Sequence, residues 1–242
     1  MASQILSNAK VYVAGADLSG DLNGVAMKYS AELKEATTLT DLTRTRRAGL
    51  KDFDFQLEGF WNGGTGGVDD TAFANVPALG VPVTIAPLTG AEAELCYFAN
   101  TDIVDYKWGA KIGDMNQVSI GGIASQSPLV RGTILQNQAR TTTGTGTVMN
   151  LGALTSAQKL YAILHVLSIT SGGSPSITAK VQSAALVGFG TPNDRITFSA
   201  AVAAGAQFAV PVNGAITDAF WRASWTLTNI TSITFLIAMG IL

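Results

Sequence analysis

Alternation with a period of two runs through residues 52–58, and only an extended strand with one dry and one wet face satisfies it. In Asp52-Phe53-Asp54-Phe55-Gln56-Leu57-Glu58, the apolar Phe53, Phe55 and Leu57 fall on one side, and Asp52, Asp54, Gln56 and Glu58 on the other. Successive side chains of a strand point to opposite faces, whereas a helix would scatter both sets around its circumference. A second alternating stretch, Val25 to Lys34, places its larger apolar residues on odd positions, with Lys28, Ser30, Glu32 and Lys34 on the other face. The two are predicted to pair as an antiparallel hairpin with one solvated face. Their connection, residues 35–51, is too long for a tight turn; a loop of that length either carries a function or is disordered.

The rest of the chain repeats the pattern. Asn62 to Gly67 is a glycine-rich turn, and a short helix is predicted from Asp69 to Asn75, started by two aspartates and stopped by Pro77. Strands follow near 81–87, 94–106, 114–123 and 128–136. Thr141 to Thr147 is a Thr/Gly stretch of low complexity, where the domain boundary is placed. Further strands are expected near 159–169, 176–183, 194–199, 206–212, 219–228 and 232–241, with turns at Gly172-Gly173-Ser174-Pro175 and Thr191-Pro192-Asn193. The fold class is mainly β: a β-sandwich or barrel with one short helix over 1–140, a linker over 141–147, and a C-terminal β-sandwich of jelly-roll type over 148–242.

Charge is scarce. Of 242 residues 13% are charged, the net charge is −2, and the mean hydropathy is +0.29, so there is no basic footprint for nucleic acid. Residues 151–242 hold only Lys159, Lys180, Arg195, Arg222, Asp194 and Asp218. Either neighbours cover much of this half, since interface cores are charge-depleted, or it presents a neutral polar surface. The most apolar run, Ile233 to Leu242, is about half of what a bilayer requires and reads as a buried terminal strand, with no membrane partner. Met1-Ala2-Ser3-Gln4 lacks the marks of a secretory leader, which implies synthesis in a cytoplasm. Cys96 is alone, so neither an intrachain disulfide nor a zinc set is expected, and no cofactor is implied.

No residue set reads as catalytic. His165, the single histidine, lies in a strand apolar on both faces and is expected to be a hydrogen-bonded core residue. Asp17 to Gly24 lacks the glycine and glutamate register of a calcium loop and reads as a turn held by Asx side chains. No Gly-Lys-Ser/Thr follows Gly63 to Gly67, so that turn is no phosphate loop. Glu92, Glu94, Asp102, Asp105 and Asp114 could supply the paired carboxylates of a glycosidase, but spacing alone does not make them converge. Trp221 and Trp225 share one face of a strand: a sugar platform, or more ordinarily core or interface packing. Arg44, Arg46 and Arg47 cluster in the long loop, either solvated or contacting a neighbouring subunit. The face Asp52, Asp54, Gln56 and Glu58 is either simply solvated or lines a channel, where carboxylates would repel phosphate and let DNA slide.

Residues 8–61 resemble the tail tube (major tail) proteins of long-tailed bacteriophages. The matching order is a strand into Gly15-Ala16-Asp17-Leu18-Ser19-Gly20-Asp21-Leu22-Asn23, an alternating strand, Ala36-Thr37-Thr38-Leu39-Thr40-Asp41-Leu42-Thr43-Arg44, then Ala48-Gly49-Leu50-Lys51-Asp52-Phe53-Asp54-Phe55. Gly113 to Ile120 and Leu129-Val130-Arg131-Gly132 look like the close of that domain, and Ile216 to Ile241 like a segment of other phage structural proteins. The resemblance implies a non-enzymatic virion protein, assembled in the host bacterial cytoplasm into the tail. Its homo-oligomeric rings, hexameric in preference to trimeric, stack into a tube with other tail proteins as partners, and genomic DNA passes without specific binding. Residues 36–50, with Leu39, Asp41, Arg44, Arg46, Arg47 and Leu50, become the inter-ring contact; Asp52, Asp54, Gln56 and Glu58 become lumen residues. Residues 148–242 exceed the small members of the family and are expected either to decorate the outside of a hexamer subunit or to form a second tube-like domain in a trimer. The alternative function is capsid decoration or receptor or glycan binding through Trp221 and Trp225.

Overall fold

The computed structural model describes residues 8–125 and 127–242, so the reading of Met1 to Gln4 lies outside the described residues. In chain order the elements are β1 (Lys10–Val13), β2 (Ala16–Asp17), β3 (Leu22–Glu35), β4 (Arg46–Phe60), α1 (Val68–Ala74), β5 (Val81–Ala86), β6 (Leu95–Gly109), β7 (Gln117–Ala124) and β8 (Val130–Arg140). They continue with β9 (Gly144–Thr145), β10 (Met149–Asn150), β11 (Lys159–Ala184), β12 (Asn193–Thr197), β13 (Gly205–Phe208), β14 (Val212–Asn213) and β15 (Phe220–Ile241). The mainly β class with one short helix is as expected. The strands form one antiparallel network that does not close into a barrel.

The network forks at β6. One edge of β6 pairs with β5 through Tyr97 to Thr101. The other pairs with β8 over Leu95–Phe98 and then with β7 over Thr101–Gly109. One branch therefore runs β8–β15–β11, and the other β7–β4–β3. Between the second branch and β1, β5 and α1 lies a core of Val11, Val13, Phe53, Phe55, Leu57, Val83, Ile85, Ile103, Val118 and Ile120. The alternation of residues 52–58 decides which face of β4 closes it. Asp21 ties this layer to the helix: its carboxylate accepts the Asn62 side-chain amide (3.0 Å) and the Val68 N–H (3.1 Å) at the start of α1.

The second half is built from one folded ribbon. β11 and β15 pair from Leu160↔Ile241 to Ala184↔Phe220, and the register shifts where Gly172 to Pro175 loop out opposite Asn229. Asn229 has φ 54°, a left-handed conformation that asparagine tolerates and that suits a corner. Trp225 and Phe235 lie on the same strand ten residues apart, about 33 Å if it ran straight. Their ring centroids are 5.4 Å apart, edge to face, so the ribbon doubles back on itself. The strands expected as separate pairs at 159–169 and 176–183, and at 219–228 and 232–241, are thus single strands bent at an elbow. The sequence signals read as turns there mark a bend that leaves the hydrogen bonding largely continuous.

Folding the ribbon makes three layers. Leu160, Ala162, Leu164 and Val166 face Ile177, Ala179, Val181, Trp221 and Trp225 of the outer limb. Tyr161 and Ile163, on the opposite face, pack with Leu236 and Ala238 against Tyr12, Cys96, Phe98, Val130 and Ile134. The inner limb is the middle layer, which is why both faces of residues 160–167 are apolar. Residues 141–147 run along the outer limb, where β9 pairs with Ser224 and Trp225 of β15.

Candidate functional site

β3 and β4 continue past the body as a free arm. Val25↔Leu57, Met27↔Phe55 and Tyr29↔Phe53 lie over the core, but beyond them every residue of both strands is exposed. The strands reach Glu35 and restart at Arg46, so the connection is 36–45 and not 35–51. That leaves roughly 17 Å of free ribbon before the loop, at about 3.3 Å per residue. β4 and β3 pair with each other, and among the described residues β3 has no second partner, so its outer edge is open along 14 residues.

The tip is ordered by short polar side chains. The Asp41 carboxylate accepts the Thr38 N–H (2.7 Å) and the Thr45 hydroxyl (3.4 Å), Thr37 Oγ1 accepts the Thr45 N–H (3.0 Å), and Ala36 N–H donates to the Thr45 carbonyl (2.9 Å). Asp41 therefore shapes the loop from within. Leu39 and Leu42 stand fully exposed, with Leu33 and Leu50 largely so. Arg44, Arg46 and Arg47 are exposed, and among the described residues none of them makes an ion pair. Among the described residues nothing covers these apolar side chains, and exposed apolar groups of this kind are unusual on a surface that meets only water.

A second exposed apolar group lies at the other end of the same layer. Phe60 of β4 and Gly109 of β6 both flank Gln117 of β7, so these three strands end together, about 50 Å along β4 from its start at Arg46. Trp61 and Trp108 meet there with tilted rings, 6.4 Å between centroids, and Ile112 and Met115 of the following turn are exposed. The sequence reading missed this group. Its signal was the aromatic Phe60-Trp61 closing the alternating strand and the apolar residues in the 110–116 turn, where polar ones are usual.

Along the arm's base, Asp52, Gln56 and Glu58 are exposed and Asp54 partly so. Lys28 lies 3.6 Å from Asp54, and Gln56 donates to Ser119 Oγ at 3.1 Å. The face is carboxylate-rich, with the half-exposed Ile123 of β7 paired beside Asp54 and Ala26 beside Gln56.

The other candidates are consumed by the fold. Trp221 and Trp225 are buried, their indole N–H groups donating to the carbonyls of Gly152 (2.8 Å) and Thr142 (2.9 Å). The possible glycan platform is corrected accordingly: the rings fill the space between the ribbon's limbs and offer a sugar no face. His165 is fully buried and hydrogen-bonded through both ring nitrogens, as the core reading expects. Glu92 pairs with Arg140 (3.2 Å), Glu94 accepts from Thr89 and the Ala91 N–H (both 3.0 Å), Asp102 accepts the Gly80 N–H (2.9 Å), and Asp105 pairs with Lys107 (2.6 Å). Asp17 closes an Asx turn onto the Ser19 N–H (3.0 Å). Among the described residues no group of three His, Cys, Asp or Glu side chains is placed to hold a metal ion.

No family model matches the chain, and no curated protein matches it. Among solved structures it is similar to the sheath/tube terminator of an extracellular contractile injection system (12% identity, TM-score 0.43, covering 53% of this chain and 97% of that one). It is also similar to the Dit protein of SPP1, described as a hub of the adsorption apparatus in phages infecting Gram-positive hosts (11%, 0.39, covering 98% and 100%). A third likeness is to the tail of an empty gene transfer agent particle (11%, 0.37, covering 49% and 90%). TM-scores of 0.37 to 0.43 are distant likenesses of shape.

Proposed function

We propose that this chain is a structural subunit of a phage tail or a related injection apparatus, and that its copies form stacked rings around a channel for DNA. The observation that carries the reading is the free β3–β4 arm, with its open edge and its leucine tip. An open edge of that length is a liability for a monomer and a resource for a ring, where the neighbour's backbone satisfies it. The tip and the Trp61–Trp108 group lie at opposite ends of one layer, so copies stacked head to tail would cover both. The motif resemblance of residues 8–61 supports the same reading.

Within it, residues 36–50 make the contact between rings, the Asp52–Glu58 face lines the channel, and residues 148–242 form a domain on the outside of a hexamer. The charge-poor outer limb offers no acidic strand suited to a lumen. Imaging the purified protein by negative-stain electron microscopy tests the reading. Rings or tubes with a hole wide enough for duplex DNA support it; monomers at every concentration, or closed oligomers without a hole, refute it.

Charge reversal tests the channel assignment separately. Changing Asp52, Asp54 and Glu58 to lysine should leave tubes intact, because these side chains face away from the core. DNA passage should then slow by an order of magnitude or more in an ejection assay, as phosphates bind the wall. Unchanged ejection from particles carrying the variant would move this face off the lumen.

A further inference from the structure

The only histidine and the only cysteine of the chain meet at one seam. His165 lies on the inner limb of the ribbon and reaches across to the first half. Its Nδ1 accepts the Gly15 N–H at 3.3 Å, so the neutral ring carries its proton on Nε2, which donates to Thr84 Oγ1 at 3.0 Å. The Tyr12 ring stands 5.9 Å away. Gly15 itself has φ 92°, and a Cβ there would lie 2.4 Å from the Gly205 backbone on β13, so the turn is pressed onto the second half with no slack. A recess of about 310 Å³, lined by Gly15, Asp17, Thr71, Leu167 and Gly205 among others, opens at the same place.

We propose that His165 is an acid-sensitive latch: a proton on Nδ1 replaces the acceptor for Gly15 with a second donor, and the β1–β2 turn and β5 then separate from β11. Among the described residues no carboxylate is hydrogen-bonded to the ring, whose partners are the Gly15 N–H and Thr84 Oγ1. β5, β13 and residues 233–241 of β15 contain no ionisable side chain. Tyr12 on β1 is neutral, its hydroxyl pushed up to about 12 by burial. Tyr161 on β11 is also raised by burial, and Lys159 lies at that strand's start. Asp17 on β2 is exposed and lies 4.0 Å from Lys10 of β1, while Arg131 and Arg140 stand near the two ends of β8. Burial accordingly holds the His165 ring neutral down to about 3 in the closed form.

The sign follows. The closed form binds fewer protons than the open one, so closure is favoured above the ordinary histidine value and weakens as pH falls below it. Each pH unit below about 6.5 raises the open population tenfold, about twenty-five-fold between pH 7 and 5. Histidine is the side chain that ordinarily titrates in that window.

Cys96 reports the event, since it is buried in the cluster that joins Tyr12 to Tyr161 and Ile163. The experiment is labelling of the full chain with a pyridyl disulfide, which reacts with thiols at acid pH, with rates corrected by those of the denatured protein. The expected result is a rise of about twenty-five-fold from pH 7 to 5, beginning near 6.5, with the circular dichroism of the sheet retained. His165→Gln, which can accept from Gly15 and donate to Thr84 but does not titrate, should label at a pH-independent rate. A flat wild-type profile, a rise confined to pH below 4.5, or a rise accompanied by loss of the sheet signal each overturns the latch. Those readings need no variant, and an unchanged profile in a folded His165→Gln overturns it as well.

Discussion

Leu39→Asp combined with Leu42→Asp should give a protein that folds and no longer assembles. Both side chains are fully exposed, with no packing partner among the described residues, so the isolated fold should lose no packing. Burying a leucine is worth about 1.5–3 kcal/mol. In the proposed stacking, two of them at each contact between copies would give about 3–6 kcal/mol, at least a hundredfold in the concentration needed for assembly. Aspartate adds a desolvation cost on top. If the parent protein assembles as proposed, sedimentation should show monomers or single rings for the double variant in place of tubes, with an unchanged denaturation midpoint. Tubes of ordinary length from the double variant would remove the arm tip from the stacking contact.

Trp225→Ala should have the opposite profile, a large loss of stability with no direct effect on the arm. The ring is 3% exposed, meets Phe235 edge to face, donates its N–H to Thr142, and lies under the Arg140 guanidinium at 5.1 Å. Deleting it opens a cavity between the two limbs of the ribbon and orphans a carbonyl. The expected cost is about 3–5 kcal/mol, read by chemical denaturation. At about 2–4 °C per kcal/mol for a chain of this size, the melting temperature should fall by roughly 6–20 °C. A loss under about 1 kcal/mol would mean that the limbs do not close on this ring.

The strands of the first half were legible because their alternation is strong. Phe53, Phe55 and Leu57 could face only a core, and the structure puts them there. The length of the arm was not legible, because Leu33 and Leu50 continue the pattern of covered residues while nothing in the subunit covers them. The elbow of the ribbon was read as a turn at Gly172-Gly173-Ser174-Pro175 and a break between strands at 229–231, since that glycine-rich stretch has the composition of a turn or a bend. What distinguishes a bend from a chain reversal is the pairing of both limbs with the same partner strand, a long-range fact. His165 was legible as a core histidine from its doubly apolar strand, but its partners Gly15 and Thr84 were not, being 150 and 81 residues away. The Trp61–Trp108 group went unread because its members come from two strands that only the β4–β7–β6 pairing brings together.

The bent ribbon also sets an order of events on the ribosome. β8 and β11 are complete by Ala184, but the strand that lies between them starts only at Phe220. At about 5–20 residues per second, both wait several seconds for their shared neighbour. The β3–β4 hairpin, residues 22–60, has by then long left the exit tunnel with the leucines of its arm bare. Adjacent nascent chains on one messenger thus carry finished adhesive hairpins on unfinished bodies. Lys28, Glu32, Lys34 and Glu35 are spaced along the open strand, and charged side chains on an edge oppose its pairing with another edge.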